Sequence, residues 1–311
     1  MIYTVTLNPA LDIVYQTGTL TLGGLNRAQS QEVVIGGKGI NISVLLKHLG
    51  LENIALGFLG GFTGAYIEDE LAKLGLETSF LKLSGTTRLN TKVNSQGQTA
   101  TEVNAPGPEV GLEQQEAFLK DLKSRLQAQD TLALAGNAAP GISPSFYAAI
   151  ARLCQEKDVH FALDTNRDLL KACLPYQPAI IKPNQEELGD LVGRTLVAAA
   201  DVLGAAQEIQ ALGARNVLVS LGAAGALLLT ETGEVYKSQA PQGRVVNPTG
   251  AGDSMLAGYL AAQAAGETAD RVLQWATACG SATAFSVGIA ERPLIEKCFA
   301  QTRIEPCSTH S

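Results

Sequence analysis

Six short apolar runs, most of them separated by stretches of helical periodicity, constrain the fold of this chain more than any other feature: 2–7, 54–59, 131–135, 160–164, 179–182 and 217–221. Parallel strands need a crossover long enough for a helix, so this alternation predicts an α/β fold with a mostly parallel central sheet and helices on both faces. Two stretches break the pattern. Residues 11–34 and 86–103 show short polar–apolar alternation, and Ser95-Gln96-Gly97-Gln98 reads as a hairpin turn. They form either an edge extension of the main sheet or a small sheet of their own. A length of 311 residues, 46% of them hydrophobic, suffices for a sizeable core in one large domain or two smaller ones.

Asn247-Pro248-Thr249-Gly250-Ala251-Gly252-Asp253-Ser254 leads into an apolar, Ala-rich helical stretch over 255–265. Gly250 and Gly252 allow the backbone to turn tightly and approach a ligand, and Asp253 or Ser254 can cap the helix that follows. The free N–H groups of a first helical turn, with the positive end of the helix dipole, make Gly250, Ala251 and Gly252 an anion hole. A carboxylate inside such a turn would repel a resting phosphate. Asp253 is therefore read as a general base that takes the proton of a hydroxyl attacking that phosphate, the plainer alternative being a simple N-cap.

A second cluster, Ile35-Gly36-Gly37-Lys38-Gly39-Ile40-Asn41-Ile42-Ser43, precedes an apolar-periodic run (Ile40, Val44, Leu45, Leu49) that predicts a helix ending at Gly50. Neither cluster is one of the commoner nucleotide motifs. Gly36–Gly39 lacks the Gly-Lys-Ser/Thr ending of a P-loop, and Met255 stands where a G-x-G-x-x-G fingerprint needs its third glycine.

Charge and composition exclude other classes. A net charge of -7 and a pI near 5.1 leave no broad basic face for nucleic acid. Cys154, Cys173, Cys279, Cys298 and Cys307 are scattered and never spaced C-x-x-C, which suits a reduced, cytoplasmic setting. His48, His160 and His310 show no metal-ligand spacing, so no protein-built zinc site is expected. The first apolar run lacks a basic n-region and is interrupted by Asn8, Pro9 and Asp12; it is a strand rather than a signal peptide. No run of 18 apolar residues predicts a membrane span. The polar residues from about Glu305 onward are expected to be a mobile tail.

Gly36-Gly37-Lys38-Gly39-x-Asn41 and Thr249-Gly250-Ala251-Gly252-Asp253-Ser254 together resemble the two signatures of the ribokinase-like (PfkB) carbohydrate kinase family. Thr4-Val5-Thr6-Leu7-Asn8-Pro9-Ala10-Leu11-Asp12, Gly57-Phe58-Leu59-Gly60-Gly61, Thr87-Arg88-Leu89-Asn90-Thr91-Lys92 and Lys182-Pro183-Asn184-x-x-Glu187 look like its branch acting on sugar phosphates such as fructose 1-phosphate and tagatose 6-phosphate. The likeness runs from Met1 to about Val287. It implies a ribokinase-like fold in a single kinase domain over 1–311, with stretches at about 11–34 and 86–104 forming a small β lid that closes over the sugar and supports a homodimer. The implied reaction uses ATP and Mg2+ to phosphorylate fructose 1-phosphate on its 6-hydroxyl, giving fructose 1,6-bisphosphate and ADP. Tagatose 6-phosphate and fructose 6-phosphate are the alternative acceptors.

The resemblance also assigns residues. Asp12, Gly36, Gly37 and Asn41 match those holding the sugar, and Arg88 and Asn90 those holding its phosphate; Lys38 can approach from the glycine cluster. Arg88, Asn90 and Lys92 alternate along a strand and share a face, Lys92 reading as plain surface. Where the family has Gly-Ser-Leu-Pro this chain has Gly136-Asn137-Ala138-Ala139-Pro140, so that Asn137 is left to donate to a phosphate. Lys182, Ser220, Gly222, Gly225 and Gly252 match the ATP site. Asn184 and Glu187 match residues that hold Mg2+ partly through water, and their spacing is also that of a capping box. The helix over 269–285, with Trp275, reads as core that could also wall the adenine pocket.

Overall fold

The computed structural model describes residues 1–97 and 99–307, with only the backbone of Pro306 and Cys307. Gln98 of the expected turn, the tail from 308 to 311 and His310 within it lie outside the described residues. In chain order the N-terminal half contains β1 (Ile2–Thr6), β2 (Ala10–Thr17), β3 (Ala28–Gly36), α1 (Lys38–His48), β4 (Asn53–Gly60), α2 (Gly61–Lys73), β5 (Glu77–Leu83), β6 (Arg88–Ser95), β7 (Thr101–Val103) and α3 (Leu112–Arg125). There follow β8 (Thr131–Ala135), α4 (Pro144–Glu156), β9 (His160–Asp164), α5 (Arg167–Cys173), β10 (Ile180–Ile181), α6 (Gln185–Val192), α7 (Ala199–Ala211) and β11 (Asn216–Ser220). The chain ends with β12 (Ala226–Leu229), β13 (Val235–Gln239), α8 (Ala251–Ala264), α9 (Ala269–Ala284), α10 (Arg292–Gln301) and β14 (Arg303–Cys307).

The main sheet runs β14-β13-β12-β11-β10-β9-β8-β1-β4-β5, parallel from β5 to β11 and antiparallel beyond it. All six predicted strands are present. β10 is shorter than expected because Lys182 still donates to Leu163 O but Pro183 has no amide to continue the ladder. The antiparallel extension was not predicted, nor was β5. Glu305 corrects the expectation of a mobile tail: it pairs with Lys237 in the β13–β14 ladder.

Side chains alternate between two helical layers. Leu132, Leu134, Phe161, Leu163, Val217 and Val219 point into a core shared with α3, α4, α5, α6 and α7. Ala133, Ala135, Ala162 and Leu218 face a second core shared with α1, α8, α9 and α10. Each fully buried Leu or Ile stabilises the fold by about 1.5–3 kcal/mol. α8 is apolar nearly all round, as befits a helix held between the sheet, α1 and α9.

The two aberrant stretches form their own four-stranded sheet, ordered β3-β2-β6-β7, rather than an extension of the main one. β2 and β6 pair in parallel, with Ala10 opposite Arg88 and Asp12 opposite Asn90. This small sheet leaves the body after β1 and β5 and returns into α1 and α3.

Candidate active site

From β1 the chain goes to β4 on one side of the sheet and returns to β8 on the other, so the strand order reverses between β1 and β8. Crevices at such a switch point, beyond the carboxyl ends of the strands, are where open α/β sheets bind ligands. Asn8 follows β1, Gly136 follows β8, Asp164 ends β9, Lys182 follows β10 and Ser220 ends β11. All five line one cavity of about 700 Å³, covered on one side by the small sheet. Asp12, Gly36, Gly37, Lys38, Asn41 and Arg88 line it too, as do Asn90, Asn137, Asn184 and Glu187. A second, mostly apolar cavity of about 510 Å³ meets the first at Ser220 and Gly252 and adds Gly222, Gly225 and Ala251. Thr277, Gly280, Ser281 and Ala284 of α9, with Phe285, form one of its walls, while Trp275 packs instead against Phe299, ring centroids 4.3 Å apart. The predicted residues thus fall into two adjoining chambers with α8 at their junction.

α8 begins earlier than the apolar run suggested, at Ala251, and its N-cap is Gly250 at φ 80, a left-handed conformation suited to glycine. This corrects the expected cap: Asp253 and Ser254 lie inside the first turn, neither caps it, and buried Ser254 accepts instead from Thr283 Oγ1 at 2.8 Å. Gly252 is helical, so its value is space rather than conformation; a Cβ there would stand 3.1 Å from Lys182 Nζ. The Ala251 amide donates to Pro248 O at 3.2 Å. Among the described residues the amides of Gly250, Gly252 and Asp253 make no backbone hydrogen bond, so of the three expected donors Ala251 is engaged and the Asp253 amide is free in its place. Asn247 shapes the turn, accepting from Thr249 N at 3.0 Å and donating to Val287 O at 2.9 Å.

Asp253 is 6% exposed and accepts from Asn41 Nδ2 at 2.8 Å through Oδ2. Sequence reasoning placed Asn41 on the sugar; its amide also orients the carboxylate. Burial and the negative charge of Asp164 push Asp253 up to about 6, against the pull of Asn41, Lys38 and Lys182. Asp164 was missed altogether. Its side chain is 2% exposed and lies between two lysines, with Lys38 Nζ 2.9 Å from Oδ1 and Lys182 Nζ 3.2 Å from Oδ2. Burial pushes this carboxyl up, but the ammonium groups of Lys182 and Lys38 outweigh it and hold Asp164 below the usual range. Lys38 is correspondingly raised: its pairing with Asp164 overcomes the opposing effect of burial. An acid at the end of a parallel strand beside the switch point is the signal that could have found it.

On the small sheet, Asn90 Nδ2 donates to Asp12 Oδ1 at 2.8 Å, and burial raises the Asp12 carboxyl above its ordinary value. Arg88 Nη2 donates to Asn8 O at 3.1 Å, fixing the base of the sheet to the chain after β1. Lys92 does not line the cavity and pairs across the strands with Glu102 at 2.9 Å, in keeping with a surface role. Asn8 Nδ2 bridges Pro106 O and Ala138 O, both at 3.1 Å, and ties the return of the small sheet to the loop carrying Asn137.

The capping box at α6 is complete. Asn184 Oδ1 accepts from Glu187 N and Glu187 Oε2 from Asn184 N, both at 2.8 Å, leaving Glu187 Oε1 for another partner. No group of three or more His, Cys, Asp or Glu among the described residues could hold a metal ion by itself. One free carboxylate oxygen suits a divalent cation that keeps most of its waters and takes phosphate oxygens as ligands. No helix among the described residues is long and apolar enough to cross a membrane.

A buried, raised carboxylate among free helix-terminal amides, between a polar chamber and an apolar one, defines a phosphotransferase of the ribokinase-like fold. The family model described as pfkB family carbohydrate kinase matches residues 5–297, and the chain belongs to that family. The 1-phosphofructokinase of Bacillus subtilis (strain 168) is 36% identical over 304 residues, covering 98% of this chain and 99% of its own. D-tagatose-1-phosphate kinase of Bacillus licheniformis is 33% identical over 305 residues, with 98% and 99% covered. The structure of Escherichia coli phosphofructokinase-2 in complex with fructose-6-phosphate matches with a TM-score of 0.89 at 27% identity, covering 96% of this chain and 98% of that one. ATP is the family's phosphoryl donor, usually used with a divalent metal.

Proposed function

We propose that this chain transfers the γ-phosphoryl group of MgATP to the 6-hydroxyl of fructose 1-phosphate, giving fructose 1,6-bisphosphate and ADP. The observation that carries this proposal is the position of Asp253 at the seam of the two chambers, beside the Gly252 amide that belongs to both. Asp253 takes the 6-hydroxyl proton as the oxygen attacks phosphorus, and Asn41 keeps its carboxylate aimed. The Gly250, Gly252 and Asp253 amides receive the charge of the transferred group. Asp12, with Gly36 and Gly37, holds sugar hydroxyls, while Arg88, Asn90, Lys38 and Asn137 hold the 1-phosphate. The apolar chamber walled by α9 takes the adenosine, with Lys182 and Ser220 toward its phosphates. Mg2+, held from Glu187 with Asn184 in support, supplies charge neutralisation on those phosphates.

The choice of acceptor is supported by the names of the two Bacillus relatives, both of which act on a ketose 1-phosphate. A coupled ADP-release assay with fructose 1-phosphate, D-tagatose 1-phosphate, fructose 6-phosphate and tagatose 6-phosphate tests it. We expect kcat/KM for fructose 1-phosphate to exceed that for either 6-phosphate by at least about tenfold, a gap of some 1.4 kcal/mol. Preference for a 6-phosphate overturns the acceptor.

The small sheet acts as the lid of one kinase domain and, in this proposal, joins two copies in a cytoplasmic homodimer. Its edge strand β3 is exposed along most of its length, and Val33, Leu89 and Val103 leave apolar surface on it. Sedimentation equilibrium should give twice the chain mass, and a monomer at micromolar concentration contradicts the pairing.

A further inference from the structure

Asp164 presents a puzzle of charge. It lines a chamber meant for anionic substrates, it is almost wholly buried, and a bare carboxylate there would repel phosphate. Its Oδ1 accepts a hydrogen bond from Lys38 at the start of α1, and its Oδ2, which makes no hydrogen bond, forms an ion pair with Lys182 after β10. Lys182 is 4% exposed, and its ammonium stands 3.1 Å from where a Cβ on Gly252 would be. The Lys182 ammonium is buried and the Lys38 one half-exposed, and the carboxylate between them offsets part of their positive charge. The backbone of the same residue holds a third part of the site. Asp164 O accepts from Gly136 N at 2.9 Å, and the neighbouring Thr165 hydroxyl donates to Gly136 O at 2.8 Å, which fixes the start of the loop bearing Asn137.

We propose that Asp164 is a positioning residue that couples the two chambers by holding Lys182 at the anion-binding turn and Lys38 at the sugar-side loop from one buried carboxylate. A change on one side is thereby felt on the other. When one lysine swings to an incoming phosphate, Asp164 is left to the second, which it then holds more firmly. The assignment of the two lysines to different substrates rests on the function proposed above.

A double-mutant cycle tests the coupling, run with whichever ketose phosphate the parent enzyme turns over fastest, so that a wrong acceptor fails the earlier assay and not this one. Asp164→Asn is expected to lower kcat by about tenfold or more. In a background carrying both Lys38→Met and Lys182→Met the same change should cost less than about threefold, because both groups it acts through are gone. The charged groups that bear on Asp253 are Asp164, Lys38 and Lys182. Removing the negative one should move the acid limb of the kcat profile to lower pH, a displacement that simple loosening of the fold does not produce. Should Asp164→Asn fail to fold, the lysine variants remain informative. Calorimetry should then show Lys38→Met altering the Kd for metal-free ADP, and Lys182→Met altering that for the sugar phosphate, each by at least about threefold. Losses that multiply independently of background, with an unmoved acid limb, overturn the proposal. So does an Asp164→Asn defect that raised Mg2+ alone repairs, which would make Asp164 a metal ligand.

Discussion

Gly252 offers a perturbation whose structural and catalytic consequences separate. Because the residue is helical, Gly252→Val introduces no forbidden backbone angle, and helix propensity favours valine over glycine by a few tenths of a kcal/mol. The new Cβ meets only the end of a flexible lysine, 3.1 Å away. That lysine is not free to retreat, however, since Lys182 is held by Asp164 at 3.2 Å. Valine's methyl groups would displace the ammonium and cover the amide at the junction of the two chambers. Stability should therefore change by no more than about 1 kcal/mol, a shift of a few degrees in Tm for a chain of this size. One blocked donor at a site of developing charge typically costs about 10²–10³-fold in kcat. The lost lysine contact should add to KM for ATP, because Gly252 also lines the apolar chamber. Thermal unfolding beside steady-state kinetics for the Ala and Val variants measures both, with alanine falling between parent and valine. A valine variant with unchanged kcat would show that the anion hole lies elsewhere, and a collapse in Tm would show that Gly252 is kept for packing.

Two further outcomes follow from the same geometry. With Asp253 raised to about 6, kcat should climb as pH rises through about 6 and level off above it, since only the deprotonated carboxylate accepts a proton; a profile flat from pH 5 to 8 contradicts this. Arg88→Ala should raise KM for the sugar phosphate by about tenfold, the scale of a charge-assisted contact, while KM for ATP changes little; equal losses for both substrates would assign Arg88 to anchoring the small sheet through Asn8 O.

The parallel strands other than β5 were legible because burial on both faces writes them as continuous apolar runs, whereas β5, at the sheet edge, is largely half-buried or exposed. β12 and β13 were not, because hairpin strands come without the intervening helix that marked the others. Most motif residues converged on the two chambers since they follow a strand end or lie in the first turn of a helix, whereas Asp12, Arg88 and Asn90 reach the polar chamber from β2 and β6 of the small sheet. What the sequence could not convey was partnership: Asn41 with Asp253, and Asp164 with two lysines, join residues more than a hundred positions apart except for the pair 164 and 182. The misplaced cap at Asp253 or Ser254 has a local cause. An apolar run shows where a helix is buried, whereas α8 starts on the glycines before it.

Asp253→Asn tests the central claim most directly. Asparagine keeps the size of the side chain and can still accept from Asn41, but it cannot take a proton. Turnover should fall by at least about 10²-fold with calorimetric binding of MgATP retained. Its effect on stability has the opposite sign. A carboxyl raised in the folded state binds its proton more tightly there than in the unfolded chain, so the stability it confers is lost as pH rises from about 4 through about 6. At pH 7 the variant should therefore unfold a few degrees above the parent. Near-normal turnover, or a Tm that falls at neutral pH, would contradict a buried general base at Asp253.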